Sequence, residues 1–477
     1  MIRKNRMIKI FVSLLVLLQL LAFQTSESPE KWLKFPDNEK FKSEWRKVEA
    51  LEKKGLPKSA IKIVEQIYEA AKKTNNHAQI AKALVYRSKF ISQTEEEAFP
   101  KIIGQIEDEI DESKFPLKQI LHSYAASYYW AYFSNNQWRI NQRRVIPGFQ
   151  SDDISDWDKM DFRNKMLEQM YLSLENADSL KMVRVSDFED IVSKGTQPKN
   201  LRPGLYDFLA HRAIQYFGIS KNISPVLSDD QFLADKKFFA PAKKFAKSEF
   251  LVYDSASHHF KILKLYQQIL SFRLKQENIP ALIDVDLARL DYVFINSTFD
   301  KKDSLYLDAL KIIQEKYSGN NYVAEVIFRE AEYYSDKTKY YNALDSTTFI
   351  FKEYAKTAEG LFADIIENFS ESHTAEKSLY KLENLRKKEL KMNLEKGVIP
   401  GQSFPCRIEY KNIDELFYRI LKIDTTDYFN LIVENRGRNL IEKLINKSEL
   451  AREKEMGFDF NKDLNKHSIE FLLKGLP

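Results

Sequence analysis

The side chains of this 477-residue chain that could do chemistry are few and scattered. The histidines are His77, His122, His211, His258, His259, His373 and His467. Only His258 and His259 are close in sequence, and adjacent residues on a helix point away from each other. We therefore expect this pair to lie on a solvated helix face rather than to bind a metal ion.

Acidic residues cluster at Glu95 to Glu97, at Glu107 to Glu112, and at Asp152-Asp153. Paired carboxylates can act as a general acid and base when an apolar pocket raises one pKa. These clusters fall on predicted loops or on helices of mixed charge, so we interpret them as solvated faces. The single cysteine, Cys406, excludes an internal disulfide and a multi-cysteine metal site. It lies on a predicted strand and is expected to be a small core residue rather than a nucleophile.

The sequence signatures of dinucleotide sites, phosphate loops, zinc proteases and nucleophile elbows are missing: G-x-G-x-x-G, G-x-x-x-x-G-K-[ST], H-E-x-x-H and G-x-S-x-G. We therefore predict no catalytic residue, no metal ligand, no cofactor-binding residue and no cofactor. The chain is expected not to be an enzyme. The sequence leaves a binding site unassigned at the level of residues.

The N-terminal segment carries most of the excess positive charge. It contains four basic residues and no acidic one before Glu27, and without those four residues the formal charge falls from +5 to +1. We therefore predict no nucleic-acid partner. The basic residues are Arg3, Lys4, Arg6 and Lys9.

Residues 1–26 are predicted to be a secretory signal peptide. Their apolar core, Ile10 to Phe23, is too short to span a bilayer comfortably. The segment Leu21-Ala22-Phe23-Gln24 is a poor cleavage site, so an uncleaved anchor is the alternative, and membrane contact is expected only through such an anchor. The chain is expected to be exported, to the periplasm or the cell envelope.

Two stretches, 306–335 and 340–369, repeat each other with an offset of 34 residues, the period of a tetratricopeptide helical hairpin. The alternative is a chance similarity between two amphipathic helix pairs. The matching positions are Tyr306 with Tyr340, Ala309-Leu310 with Ala343-Leu344, Ala324-Glu325 with Ala358-Glu359, and Phe328 with Phe362.

An earlier helical hairpin is predicted around Leu56-Pro57, where proline suits the first helix position. Asn76 is the expected N-cap of the return helix, with Gln79 completing a capping box. The aromatic run from Tyr128 to Phe133 is interpreted as packed core rather than a ligand platform. Further helices are predicted at 98–112, 116–134, 161–180, 184–195, from about 205, and at 242–252, 255–274, 279–296 and 374–394.

From Gly397 the pattern changes to period-two alternation. Strands are predicted at 406–411, 416–422 and 468–473, with a helical insertion at 425–457. Three strands with open edges cannot bury both faces of a sheet. We expect a mainly α chain: a signal peptide at 1–26, a tetratricopeptide-like array of helical hairpins at 27–396, and the truncated start of a β-sandwich at 397–477.

Two segments, Arg202 to Ala213 and Tyr410 to Ile420, resemble the N-terminal region of very large bacterial alpha-2-macroglobulin family proteins. The hairpin start at Gly55 to Ala60 and the helical repeats are similar to it as well, so the resemblance covers nearly all of the mature chain. It implies a protease trap, in which macroglobulin β-sandwich domains surround a bait segment. Many members carry a Cys-x-Glu-Gln thioester. Cys406 is followed by Arg-Ile-Glu, so no thioester is implied here.

The resemblance implies a non-catalytic, exported N-terminal module that serves as scaffold or docking surface in an endopeptidase-inhibitor assembly. Its expected partners are proteins, namely proteases or the remaining macroglobulin domains. The alternative is a free-standing tetratricopeptide-like adaptor that binds peptides or proteins in a concave groove.

Overall fold

A computed structural model describes residues 39–144, 151–191, 201–223, 233–250, 257–395, 397–434, 439–458 and 462–475. The predicted signal segment lies outside these residues. Backbone contacts divide the chain into a first unit, Met1–Tyr306, and a second unit, Leu307–Pro477. The prediction of a mainly helical chain with a small antiparallel β region near its C-terminal end is confirmed. The domain boundaries predicted from the sequence remain predictions.

The first unit consists of helices, most of them paired with the next helix along the chain. Short 3₁₀ helices lie at Glu39–Phe41, Ile154–Asp156, Val185–Phe188 and Lys236–Phe239. The α-helices are α1 (Lys42–Lys53), α2 (Pro57–Lys73), α3 (His77–Thr94), α4 (Ala98–Glu112), α5 (Leu117–Asn135), α6 (Gln137–Asn141), α7 (Lys159–Leu172), α8 (Ala177–Leu180), α9 (Leu205–Ile223), α10 (Ala242–Phe245), α11 (His258–Arg273) and α12 (Ile279–Asn296).

The predicted hairpin is α2 and α3. Pro57 occupies the first position of α2, and the Asn76 side chain accepts a hydrogen bond from the Gln79 N–H at 3.2 Å. The N-cap is therefore confirmed. The capping box is not, because the Gln79 side chain accepts from Trp45 Nε1 at 2.6 Å and donates to Asp190 at 2.8 Å. Gln79 thus ties α3 to two other segments instead of closing its own helix end.

The aromatic run on α5 is packed core, as predicted. Tyr129 stacks on Trp157 with ring centroids 5.6 Å apart, and Tyr132 stacks on Phe162 at 5.3 Å. Tyr129 and Phe133 are almost fully buried. Large rings on α5 therefore join it to α7 and to the loop before α7.

Two helices predicted in the first unit are replaced by shorter elements. The stretch predicted as 184–195 is a 3₁₀ helix at Val185–Phe188, beyond which residues 192–200 lie outside the described chain. The backbone at 183–185 pairs with Pro203 and Leu205 at 2.8 Å, which competes with helix formation. The described part of the stretch predicted as 242–252 contains only α10, because Gln267 binds the carbonyls that a longer helix would use, and residues 251 and 252 lie outside the described chain.

In the second unit, helices are followed by two small sheets. Helix α13 (Lys302–Lys316) crosses the boundary between the units, and 3₁₀ helices lie at Thr338–Tyr340 and Ser346–Phe351. The other elements are α14 (Val323–Lys337), α15 (Tyr354–Asn368), α16 (His373–Arg386), β1 (Glu389–Leu394), β2 (Phe404–Lys411), β3 (Glu415–Lys422), α17 (Thr425–Glu434), α18 (Leu440–Lys447), β4 (Glu449–Gly457) and β5 (His467–Leu473).

The predicted repeat is wrong in its first helix, whereas both stretches contain the second helix. Phe328 on α14 and Phe362 on α15 are both buried, with ring centroids 5.7 Å apart. In contrast, Leu310 is buried whereas its counterpart Leu344 is 85% exposed. Residues 340–351 form turns and a 3₁₀ helix rather than an α-helix, because side chains such as Asp345 bond the local backbone.

The helix predicted at 374–394 is wrong in its last third. Helix α16 ends at Arg386, Lys387 is extended, and β1 follows. Leucine and lysine favour helices in isolation, but pairing with β2 overrides that preference. The insertion predicted as helical over 425–457 is also wrong in its last part, which is strand β4.

The strands form an antiparallel sheet of order β1-β2-β5 and a two-stranded ribbon, β3-β4. The two share an apolar core. Its partly buried members include Ile413, Tyr418 and Phe458 from the segments around the ribbon. The buried members are Cys406, Ile408, Tyr410, Leu416 and Leu473. This cluster is the core of the small antiparallel region near the C-terminal end.

Candidate protein-binding surface

The adjacent histidines on α11 are buried, so the expectation of a solvated face is wrong. His258 is 0% and His259 is 1% exposed. His258 Nε2 lies 3.1 Å from the guanidinium of Arg163, and His259 Nδ1 lies 2.5 Å from the Tyr292 hydroxyl. Each ring is held by a different helix. In the described ranges, no three His, Cys, Asp or Glu side chains come together as metal ligands.

The prediction of solvated faces is confirmed for two of the acidic clusters and wrong for Glu109 in the third. Glu95 to Glu97 and Asp152-Asp153 are exposed, as expected. Glu109 is not, since it is 4% exposed and accepts hydrogen bonds from the Tyr68 hydroxyl and, at 3.1 Å, from Lys72. Burial and the neighbouring carboxylate raise the pKa of Tyr68, which keeps this phenol protonated. The cluster joins α2 to α4.

Cys406 is a buried core residue, as predicted. It is 0% exposed, and burial raises the pKa of its thiol, which disfavours the reactive thiolate.

The Arg202 to Ala213 segment builds a buried ion pair. Asp207 Oδ1 accepts from Arg273 Nε at 3.1 Å, its second oxygen contacts the same guanidinium, and the Gly204 N–H donates to that oxygen at 3.1 Å. Burial raises the pKa of Asp207, and the Arg273 charge and these hydrogen bonds oppose the rise. The pair ties the start of α9 to the end of α11.

His211 belongs to the same segment and is held by a backbone carbonyl. Its Nδ1 lies 2.7 Å from the Asp207 backbone carbonyl, so Nδ1–H donates and the tautomer is fixed. Its Nε2 is buried and finds no hydrogen-bond partner in the described part of the chain. Burial, assisted by the charge of Arg202, lowers the pKa of His211 to about 3. The Asp207 carboxylate binds Arg273, and among the described residues His211 hydrogen-bonds only to the backbone carbonyl of Asp207.

The surface best suited to a function lies on the three-stranded sheet. The strand register puts Leu390 beside Tyr410, Met392 beside Ile408, and Leu394 beside Cys406. Side chains directly opposite each other on antiparallel strands share a face. The apolar face that the ribbon covers over β2 therefore continues onto β1.

On β1 this apolar face is uncovered. Leu390 is 46%, Met392 39% and Leu394 48% exposed, whereas their neighbours on β2 are at most 7% exposed. Among the described strands, β1 pairs only with β2, so its outer backbone edge has no strand partner. We call these three side chains and this edge the β1 surface.

The opposite face of the sheet is polar. Lys391 on β1 lies 3.7 Å from Glu409 on β2, and Arg407 lies 3.9 Å from Glu470 on β5. These exposed ion pairs are typical of a solvated face and contribute little stability. The sheet is thus amphipathic, and only its apolar face offers a site for another polypeptide.

Sequence reasoning missed the β1 surface because β1 was assigned to a helix. The signal was present: apolar residues alternate with polar ones at Leu390, Met392 and Leu394, a period-two pattern.

Within the described ranges, no helix has both the length and the apolar character needed to cross a membrane. Comparison of the chain with protein-family models finds no match, and comparison with curated proteins finds none either.

Proposed function

We propose that this chain is a non-catalytic protein-binding module whose β1 surface docks a β-strand of a partner protein. The observation that carries the proposal is the uncovered apolar row on β1 beside a closed apolar core. A partner strand added at this edge gains backbone hydrogen bonds, and alternate side chains of that strand extend the apolar face.

The physical argument is that such an edge is unfavourable when left open. A strand edge presents unpaired N–H and C=O groups, which proteins usually block or cover. Apolar side chains gathered on one exposed face are typical of a binding site. On β1 both features occur together, at Leu390, Met392 and Leu394.

The partner that we propose is a macroglobulin-type β-sandwich domain. Support comes from the resemblance of Arg202 to Ala213 and of Tyr410 to Ile420 to alpha-2-macroglobulin family proteins. The chain would then be the exported scaffold of an endopeptidase-inhibitor assembly and would not itself hold the protease. Mass measurement of the chain from envelope fractions tests export, with loss of about 26 residues expected.

The test is hydrogen–deuterium exchange of the full chain, with and without an eight-residue peptide that alternates valine and threonine. We expect the peptide to slow exchange of β1 amides, because they gain partners. The control peptide carries N-methyl groups on every residue, which blocks both of its hydrogen-bonding edges, so it cannot complete the ladder. Met392→Glu should abolish protection, since it puts a charge in the apolar row.

Asn393→Glu is the matched control variant, because it introduces the same residue at the next position, on the polar face. It should leave the protection of β1 intact. Equal loss in both variants, or equal protection by both peptides, contradicts docking at β1. A dimer that forms with rising concentration and is abolished by Met392→Glu would make a second copy the occupant.

A second candidate function is the free-standing helical adaptor. The helices of the first unit favour it, since hairpins such as α2 and α3 bury an apolar core of their own. An adaptor needs no β1 surface, so its binding would be unchanged by Met392→Glu.

A further inference from the structure

A separate groove lies in the first unit, along one face of α11. Its volume is about 1030 Å³. The end of α7 at Tyr171, helix α8, Tyr206 at the start of α9, and the turn at 246–248 form its other walls. The groove therefore lies where helices that are distant in sequence meet, and it is independent of the β1 surface.

The charged side chains that line the groove are predominantly basic. Two carboxylates, Glu175 and Asp178, oppose a larger set of lysines. The lysines are Lys181, Lys247, Lys261, Lys264 and Lys275. A concave surface with an excess of one charge concentrates the field there and attracts the opposite charge.

Aromatic rings position two of these ammonium groups. Lys181 Nζ pairs with Asp178 Oδ1 at 2.7 Å and lies 5.2 Å from the centre of the Tyr206 ring and 5.5 Å from that of Phe272. Lys264 Nζ lies 4.9 Å from the centre of the Phe250 ring. A cation over an aromatic face is held by the ring quadrupole. The groove thus combines fixed positive charge with apolar walls.

Hydrogen bonds within the protein fix one wall of the groove without a ligand. The Gln267 side chain donates to the carbonyl of Ser248 at 2.6 Å and to that of Phe245 at 3.1 Å. Lys264 donates to the same side chain at 3.1 Å. These bonds hold the turn at 246–248 against α11. Ordering this wall when a ligand binds therefore costs little conformational entropy.

We propose that this groove binds an acidic polypeptide segment. On α11 the lining runs from Phe260 to Phe272, about 18 Å at 1.5 Å per residue. An extended chain covers that length in about five to six residues. Carboxylates of the segment pair with lysines, and its apolar side chains contact the rings.

A phosphate polymer fits the groove less well. Its charges follow one another at every unit of the strand, so some would face Glu175 and Asp178. A peptide can place its acidic residues opposite lysines and neutral residues opposite these carboxylates. The mixed lining therefore favours a polypeptide over a nucleic acid.

The test is fluorescence anisotropy of the full chain with a labelled peptide of sequence Glu-Leu-Glu-Gly-Glu-Leu-Glu-Gly. The same peptide with glutamine for every glutamate is the control ligand. Lys264→Glu with Lys275→Glu should weaken binding of the acidic peptide by about tenfold or more, because two attractive charges become repulsive. Lys264→Gln with Lys275→Gln should weaken it less.

The control protein carries Lys62→Glu and Lys311→Glu. Both lysines are exposed, lie outside the groove, and give the same change in net charge. This protein should bind the acidic peptide within about twofold of the wild type. Equal weakening in the groove and control variants overturns the proposal, as does equal binding of the two peptides. Tighter binding of a single-stranded oligonucleotide of matched charge overturns the assignment to polypeptide.

Discussion

The ion pair between Asp207 and Arg273 is removed from water, with the two side chains 1% and 4% exposed. A buried charge that loses its partner is costly. We expect Arg273→Met to lower the free energy of unfolding by about 3–5 kcal/mol, because Asp207 stays buried without its counter-charge. Urea denaturation followed by circular dichroism measures the loss.

The surface pair of Arg184 and Asp187 supplies a control, since Arg184 is 77% exposed. Arg184→Met should change stability by less than about 1 kcal/mol. The double variant Asp207→Asn with Arg273→Met should be less destabilised than Arg273→Met alone, because the uncompensated charge is gone. Similar effects of Arg273→Met and Arg184→Met would contradict the role of the buried pair.

His211 makes stability depend on pH. Burial lowers its pKa to about 3 in the folded chain, against 6.5 ordinarily. Between about pH 3 and pH 6.5, His211 is largely protonated in the unfolded chain and largely neutral in the folded chain. The free energy of unfolding therefore falls as pH drops below about 6.5, by about 1.4 kcal/mol per pH unit.

Denaturation of the wild type and of His211→Gln at pH 7 and pH 5 isolates the contribution of His211 to the pH dependence of stability. Burial also lowers the pKa of His77 and of His122, so the wild type alone cannot report it. Glutamine can still donate to the Asp207 carbonyl but does not titrate. The variant should lose less stability than the wild type at pH 5, and parallel losses would show that His211 is not the group responsible.

At the scale of elements, the incomplete repeat predicts that equivalent positions differ in energy. Leu310 is 0% exposed on α13, and its counterpart Leu344, 34 residues later, is 85% exposed. We expect Leu310→Ala to cost about 2–5 kcal/mol, because it creates a cavity. Leu344→Ala should cost less than about 0.5 kcal/mol. Equal costs in thermal or urea denaturation would favour a complete second hairpin.

The elements that were predicted correctly from the sequence are those whose bounds are set by residues within or next to the element. Helix α12 has the predicted bounds, since Asn278 caps it and Pro280 fits its first turn. The stretch around Leu344 was mispredicted because its apolar residues suggested burial, whereas Asp345 and Thr348 satisfy the backbone locally. Strand β1 was mispredicted although Leu390, Met392 and Leu394 alternate with polar residues, because its leucines and lysines also suit a helix and pairing with β2 decides between the two. The β1 surface was missed for the same reason.

At the scale of the whole molecule, backbone contacts divide the chain into two units. Arg273 lies in the first unit, whereas Phe362 belongs to a cluster of the second. We expect calorimetry to resolve two transitions, with Arg273→Met lowering one midpoint and Phe362→Ala lowering the other. A single transition shifted by both variants would show that α13, which crosses the boundary, couples the units.

Cys406 gives the sheet an intrinsic kinetic probe. It is the only thiol of the chain and is fully buried between the sheets. A thiol reagent can therefore modify only molecules in which this core has opened, and the modification rate reports how often that happens. A partner strand bound to β1 would lower the frequency with which this core opens. Slower modification in the presence of a partner would thus detect docking without a label on either protein.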